Sequence, residues 1–470
     1  MREDREKLFD DDYDDVIRRY EDMLKKNMQY FFDVHEFEDI IDHYLDESKF
    51  NSAVHAANLA NKQHPSSTEI QLKMAQILLD KGQPIKAMSI LRKLERIETG
   101  NYEVMVLKGI AYNQLGRTKE ASRQFDQALS VTYDDKDEVL YNIALSFEHF
   151  NQNKTALKYL LKAYELNRKN ESVLYDIAYC YDKLGEAEKS IIFYNKYLDE
   201  DAFSENAWFN MGLVYCQLNK TEEAIKAFDF CLVINEKNSS AGFNMGNLLL
   251  AQKKYDKAID AYNDCVAVDD DNELAYCYMG ECYEKLGDFT NSLLFYNKAI
   301  SLDKDFSDAW YGMGMVYFLN RKFKKSIRYF LKAAHLSPND TEYLFSLANN
   351  YTKLEQYKQS VESYLKVIEL DPEDVEAWLN CSEQYLKMSR VEDAIDVLEK
   401  GITNNPDSAI LYYRLASYYF IKRRFVAGYK AFESGLKLYP EIWEQVKEFY
   451  PQALNLKKLL DLVTNYTKIK

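Results

Sequence analysis

Four of the six histidines crowd into one short stretch, as His35, His43, His55 and His64. Histidine beside carboxylates is common raw material for a metal site, so chemistry is sought there first. Asp39 and His43 stand four residues apart and would share a helix face, with Asp42 or Asp46 near enough to add a third ligand. His35 and His43, however, would lie about 12 Å apart along a helix, too far to hold one ion. A solvated helix face accounts for the same residues, and the expectation is no metal and no cofactor. An enzyme with its site on this segment is kept as a remote alternative.

Other catalytic signatures are missing. The glycines are isolated rather than gathered into a phosphate loop, and neither GxSxG nor HExxH occurs. "DDDNE" (Asp269 to Glu273) lacks the spaced ligands and central glycine of a calcium loop and reads as a turn. The seven cysteines form no CxxC pair. Cys231 and Cys265 recur in phase, as do Cys180 and Cys282, in the manner of small buried hydrophobes. That usage suits a reducing compartment, and we expect a cytoplasmic protein. A net charge of −16 argues against nucleic acid as partner. The first residues, "MREDREKLFDDDYDD", lack the apolar core of a secretory signal, and no apolar run approaches the ~20 residues of a membrane span.

The elements that carry these residues repeat. From Ala224 a step of 34 residues reaches Ser190 and Ala156 in one direction and Ala258, Ser292, Ser326, Ser360, Ala394 and Gly428 in the other. After one extra residue the series resumes at Ala121, Ala87 and Ala53. With Glu205 as position 1 of the unit, position 8 is small: Gly109, Gly212, Gly246, Gly280 and Gly314, or Ala and Ser, with Ile41 the one large exception. Position 11 is mostly Tyr, position 24 mostly Phe or Tyr, and position 32 is Pro in Pro65, Pro338, Pro372, Pro406 and Pro440.

This pattern resembles the tetratricopeptide repeat over residues 34 to 442. Positions 4, 7, 8 and 11 form one stripe of a first helix, A, and positions 20, 24 and 27 a stripe of a second, B. Gly in a helix interior costs roughly 1 kcal/mol against Ala, so the five at position 8 imply close approach of helix B. The expected fold is therefore all-α, a right-handed superhelical solenoid of about twelve helix-turn-helix units. Residues 1–33 are expected to hold an acidic capping helix and 443–470 capping helices at the other end. Tyr13, Val16, Ile17, Tyr20, Leu24, Met28 and Phe31 form the first apolar stripe, and Ala453, Leu456, Leu459, Leu460 and Val463 the second. The run Asp10, Asp11, Asp12, Asp14 and Asp15 suits a helix N-terminus, with a partner-binding acidic tail as the alternative. The Lys-, Asn- and Tyr-rich composition and "YFFDVHEFEDIIDHYLDE" also resemble bacterial members of this class, Bacteroidota among them.

The resemblance implies a concave groove lined by the helix A face opposite the packing stripe, assigned to positions 2, 5, 6, 9, 12 and 13. Position 5 is aromatic in Tyr141, Tyr175, Phe209, Phe243, Tyr311, Phe345 and Tyr413. Positions 6 and 9 supply Asn142, Asn210, Asn244, Asn380, Asn247 and Asn349. Two readings stand: the rings brace the next helix A while the asparagines stay hydrated, or rings and asparagines hold an extended peptide, since Asn donates and accepts at once. Acids at position 2 (Glu69, Glu103, Glu138, Asp308, Glu342, Glu376) are explained by the helix dipole. At positions 2, 5 and 6 only Lys73 and Arg414 are basic, which disfavours an acidic chaperone tail as ligand; Lys183, Lys285, Lys353 and Lys387 at position 13 suit helix C-termini. The expected function is a non-enzymatic scaffold or adaptor binding a protein or peptide partner through a mainly neutral or apolar segment. A chaperone holding apolar segments is the alternative; no nucleic acid and no membrane insertion are expected, and the oligomeric state stays open.

Overall fold

The computed structural model describes residues 3–47 and 49–467, with the side chains of 3–14, 46, 454 and 467 outside the description. The described residues form 27 α-helices and no strand. They fall into two compact units, Met1–Ile234 and Asn235–Lys470. The first unit holds a leading helix, Glu3–Lys26, and six antiparallel helix pairs from Val34–Asp46 with Phe50–Gln63 to Glu205–Gln217 with Thr221–Ile234. The second holds six more pairs, from Ser239–Ala251 with Tyr255–Val268 to Ala409–Ile421 with Phe425–Leu438. Within each unit a pair packs on the next, as helix pairs that cannot bury their apolar faces alone must do. This is a tetratricopeptide-type solenoid of repeated helix pairs, as expected.

The turn inside each pair follows one recipe. Position 15 is left-handed in all eleven repeats from Gly82 to Arg423, but glycine fills it only at Gly82, Gly116, Gly185 and Gly287. Elsewhere Asn151, Asn219, Lys253, Arg321, Glu355, Ser389 and Arg423 accept the strain, roughly 1–2 kcal/mol for a residue with a Cβ. What holds them there is the backbone. Lys220 N–H donates to the Tyr215 carbonyl at 2.9 Å and Asn219 N–H to Cys216 at 3.0 Å, the paired bonds of a Schellman cap.

The glycines at position 8 answer to a side chain more than to a backbone. A Cβ on Gly109 would lie 2.3 Å from the Phe125 ring, and one on Gly212 2.6 Å from Phe228. Each of the five glycines thus admits the aromatic at position 24 of its own repeat. The swap runs the other way in the first repeat, where Ile41 at position 8 faces Ala57, both fully buried. Serine at position 20 is also accounted for. The hydroxyls of Ser190, Ser292, Ser326 and Ser360 donate to the position-8 carbonyls of Ala178, Gly280, Gly314 and Ala348 at 2.8–2.9 Å.

The ends differ from expectation in detail. Ile17, Tyr20 and Met23 are buried against Phe37, Ile40, Ile41 and Tyr44 of the first pair. Leu24, Met28 and Phe31, counted in the same stripe, are exposed, Phe31 by 70%. The helix ends at Lys26, with Asn27 in the left-handed region, so the later residues leave the helical phase. The side chains of Tyr13 and of Asp10, Asp11, Asp12 and Asp14 lie outside the described residues. Past Leu438 the chain forms a 3-10 turn (Pro440–Gln445), a short helix (Val446–Phe449), a second 3-10 turn (Pro451–Asn455) and a helix (Lys457–Thr467). The stripe read as one helix is divided: Ala453 lies in the second 3-10 turn, and Leu456, in an extended conformation, separates it from the helix that carries Leu459, Leu460 and Val463. Val446, Ala453 and Leu459 join the core of the last repeats, whereas Leu460 is exposed.

Candidate functional site

The helix A faces carry two kinds of residue, and angle separates them. At 100° per residue, positions 6 and 9 lie nearly opposite the packing stripe, but position 5 falls only about 110° from its centre, on the flank. The position-5 rings accordingly touch the position-24 ring of their own repeat. Tyr175 meets Tyr194 at 5.7 Å, Phe209 meets Phe228 at 5.8 Å, Phe243 meets Tyr262 at 6.0 Å, Tyr311 meets Phe330 at 5.5 Å and Phe345 meets Tyr364 at 5.5 Å. These five are half-buried. Tyr413 is wholly buried: its ring packs on Phe432 and its hydroxyl donates to the Tyr439 carbonyl at 2.8 Å.

The same rings reach forward to the next repeat. The Asn210 amide donates to the Tyr175 hydroxyl at 2.7 Å, Tyr311 shares a hydrogen bond with Ser346 at 3.0 Å, and the half-buried Tyr141 bonds to Asp176. All three join position 5 to position 6 of the following repeat. Phe243 leans on Tyr278 in the same way, at 5.9 Å. Bracing is therefore real, and it draws on the position-24 ring as well as on the neighbouring helix A.

The asparagines do not form a uniform ladder. Asn247 and Asn349 accept from Tyr262 and Tyr364 at 2.6 Å within their own repeats. Asn244 donates to the Ser240 carbonyl one turn back at 2.8 Å. Asn380 is half-buried, and Asn142 is exposed.

Asn142 belongs to a cleft of about 570 Å³ in the N-terminal unit, across the A helices of its first four repeats. Leu72, Val106, Leu107, Ile110 and Val139 supply apolar lining, and Glu38, Glu69, Asp80, Glu103 and Glu138 carboxylates. Lys73, also on the wall, is held by both carboxylate oxygens of Asp42 at 2.7 Å. The walls desolvate Asp80 and Glu103 and hold both carboxyls above their ordinary range, though each keeps contact with water. Position 2 marked Glu69, Glu103 and Glu138 in the sequence, but the helix dipole sufficed to explain them; only the stacking of consecutive repeats shows that they converge, with Glu38 of position 5 beside them.

A second group of acids lies on the A helices of the fourth and fifth repeats. Burial, with Asp176 nearby, pushes the Glu148 carboxyl up to about 7, and burial pushes Asp176 up to about 6. Cys180 donates to Glu148 at 3.9 Å, and its thiol is pushed up to about 12. Because the folded state holds the Glu148 proton more tightly than the unfolded chain, its stabilising contribution is complete below pH 4.5 and lost as the pH rises through 7. Glu148→Gln should therefore raise Tm at pH 8 by about 2 °C, solvent screening keeping the effect small, and leave it unchanged at pH 4. Thermal melts by circular dichroism at the two pH values check this.

The four clustered histidines are spent on structure. His55 bonds the Tyr20 hydroxyl at 2.9 Å, His64 the Phe32 carbonyl at 2.8 Å, His35 pairs with Glu38 and His43 with Glu47. Among the described residues no three His, Cys, Asp or Glu side chains come together as a metal site would need; Asp46 lies outside that description. Among the same residues all seven cysteines are unpaired and no helix is long and apolar enough to cross a membrane.

Comparison with known proteins bears on the repeat itself. The tetratricopeptide repeat matches residues 102–135, 137–170, 171–203, 205–238, 274–306, 307–340 and 382–441, and the TPR repeat matches 246–287 and 348–389. No curated protein matches the chain. Solved structures similar to it include YrrB, "a TPR protein with an unusual peptide-binding site", at 20% identity over 43% of this chain and 99% of that one, with a TM-score of 0.35. The APC/C hetero-tetramer Cut9–Hcn1 is 14% identical over 82% and 96%, with a TM-score of 0.39. The pilF protein of Pseudomonas aeruginosa is 17% identical over 43% and 93%, with a TM-score of 0.38. These likenesses concern the fold alone.

Proposed function

Because the chain belongs to the tetratricopeptide-repeat family, we propose that it is a non-catalytic protein-interaction scaffold whose helix A faces take an extended, mainly neutral or apolar segment of a partner protein. The observation that carries this reading is the half-buried position-5 series. Tyr175 and Phe209 in the N-terminal unit, and Phe243, Tyr311 and Phe345 in the C-terminal unit, each anchor one side on a core ring and leave an edge to solvent. Rings fixed in this way offer apolar contact at little entropic cost to a ligand. Asn142 and Asn380 add amide groups on the same faces. Residues 1–33 and 443–470 then serve as covers for the first and last repeats, a role supported by burial of Tyr20 and Leu459. The unpaired cysteines support a reducing, cytoplasmic setting.

Affinity capture from native extract tests the reading. The variant Phe209→Ala/Asn210→Ala/Phe243→Ala/Asn244→Ala should keep its helical circular dichroism, melt several degrees lower because two rings leave Phe228 and Tyr262, and lose a stoichiometric partner that the wild type retains. An unchanged set of captured proteins, with the fold intact, rejects the helix A face as the binding surface. Sequence-tolerant capture of many unfolded chains would mark the protein as a chaperone instead.

A further inference from the structure

We propose that the cleft of the N-terminal unit is specific for a cationic side chain, a lysine or arginine carried on an extended segment of the partner. The proposal rests on the reading that the helix A faces bind such a segment, and it adds the charge that this part of the segment must carry.

Four successive repeats each place a carboxylate on one cleft: Glu38, Glu69, Glu103 and Glu138, with Asp80 beside them. The one base on its walls, Lys73, is already neutralised by Asp42. Glu69 accepts from Ser67 at 2.8 Å, Glu103 takes a hydrogen bond from Tyr102, and Glu38 contacts His35 at 3.1 Å. Among the described residues no ion pair neutralises Asp80, Glu103 or Glu138. In the C-terminal unit two position-2 acids are tied across repeats: Glu342 accepts from Tyr311 at 2.9 Å and Asp308 from Tyr343, whereas the Glu103 bond is to its own sequence neighbour, Tyr102.

The kind of cation follows from the spacing and the lining. No three of these carboxylates come close enough to share a metal ion. The charge is spread along the cleft, and Leu72, Val106, Leu107 and Ile110 lie between the acids. A lysine or arginine suits both features, because its methylene stem covers apolar surface while its head stays among carboxylates. A volume of about 570 Å³ is within the size range of ligand clefts and has room for such a side chain with its backbone. Partial desolvation of Glu103 by the cleft walls strengthens its attraction to a cation that enters.

The test uses fluorescence anisotropy on the full chain with three dye-labelled probes: a short peptide alternating leucine and lysine, and analogues with glutamine or glutamate in place of lysine. The lysine peptide should bind about tenfold or more tighter than the glutamine analogue at low salt, and the gap should narrow as salt is added. Glu69→Gln/Glu103→Gln/Glu138→Gln should abolish the gap while leaving the circular dichroism and the affinity for the glutamine analogue unchanged. Equal binding of the lysine and glutamine peptides to the wild type overturns the charge specificity and leaves the groove reading standing. An undiminished preference for lysine in the triple variant overturns the assignment to this cleft, since that variant still carries a large net negative charge. Binding of none of the three overturns the inference, and the capture experiment then decides the groove reading separately.

Discussion

Gly109→Leu and Phe125→Ala should each destabilise the N-terminal unit severely, and the double variant should be more stable than either. A leucine at position 109 starts with a Cβ 2.3 Å from Cε1 of Phe125 and must drive that ring from the core. The ring has nowhere to go: Phe125 is fully buried and packs edge-on against Phe147 at 5.5 Å. Overpacking of this kind costs about 1–3 kcal/mol or more. Phe125→Ala leaves the opposite defect, a cavity facing a glycine, at about 3–5 kcal/mol. Together the two substitutions recreate the arrangement of Ile41 with Ala57, in which the bulk comes from helix A and the space from helix B. Denaturant melts of the four proteins would read a coupling of about 2 kcal/mol or more in favour of the double variant. Additive losses would mean that positions 8 and 24 do not trade volume. Gly109→Ala brings the same Cβ to 2.3 Å from the ring and should also destabilise, but less than Gly109→Leu, which adds three further carbons to the clash.

Tyr413→Ala should unfold the end of the C-terminal unit, whereas Tyr413→Phe should leave it folded. The side chain is 0% exposed, packs at 5.4 Å on Phe432 and fills space that a Cβ on Gly435 would enter at 2.8 Å. Truncating an aromatic so enclosed costs about 3–5 kcal/mol. In an array held by nearest-neighbour contacts, the loss falls on the adjoining helices rather than on the whole chain. Hydrogen exchange should show protection falling across Ala409–Ile421 and Phe425–Leu438 and persisting in the N-terminal unit. Tyr413→Phe removes only the bond to the Tyr439 carbonyl, worth about 1 kcal/mol, and should not alter partner capture. Loss of a partner in Tyr413→Phe, with protection unchanged, would return Tyr413 to the ligand surface.

Much of the fold was legible because one period governs it. A residue type that recurs every 34 positions reports a packing demand that recurs with it, and the aromatic at 24 and the small residue at 8 name both sides of one contact. The all-α class, the helix pairs and their phase followed from that alone. The site was less legible. The helical angle distinguishes core from surface within one helix, but it does not say how far a flanking ring leans back. Position 5 was therefore assigned to the face opposite the stripe, although Tyr413 is core and its counterparts are half so. Asn210, Asn247 and Asn349 have the same chemistry in the sequence; which of their polar atoms are spent on Tyr175, Tyr262 and Tyr364 depends on side chains 15 or 35 residues away.

The amino-acid sequence by itself determined the repeat, the identity of the packing positions and the absence of catalytic motifs, since these depend on residue type and spacing along one helix. Tertiary structure alone decided that Glu38, Glu69, Glu103 and Glu138 share a cleft and that Asp308 and Glu342 bond tyrosines of an adjoining repeat. Glu69, Glu103 and Glu138 each satisfy their own helix dipole, and that local sufficiency hides any joint role. Charges meet across repeats only when the stacking of helices sets the distance between them.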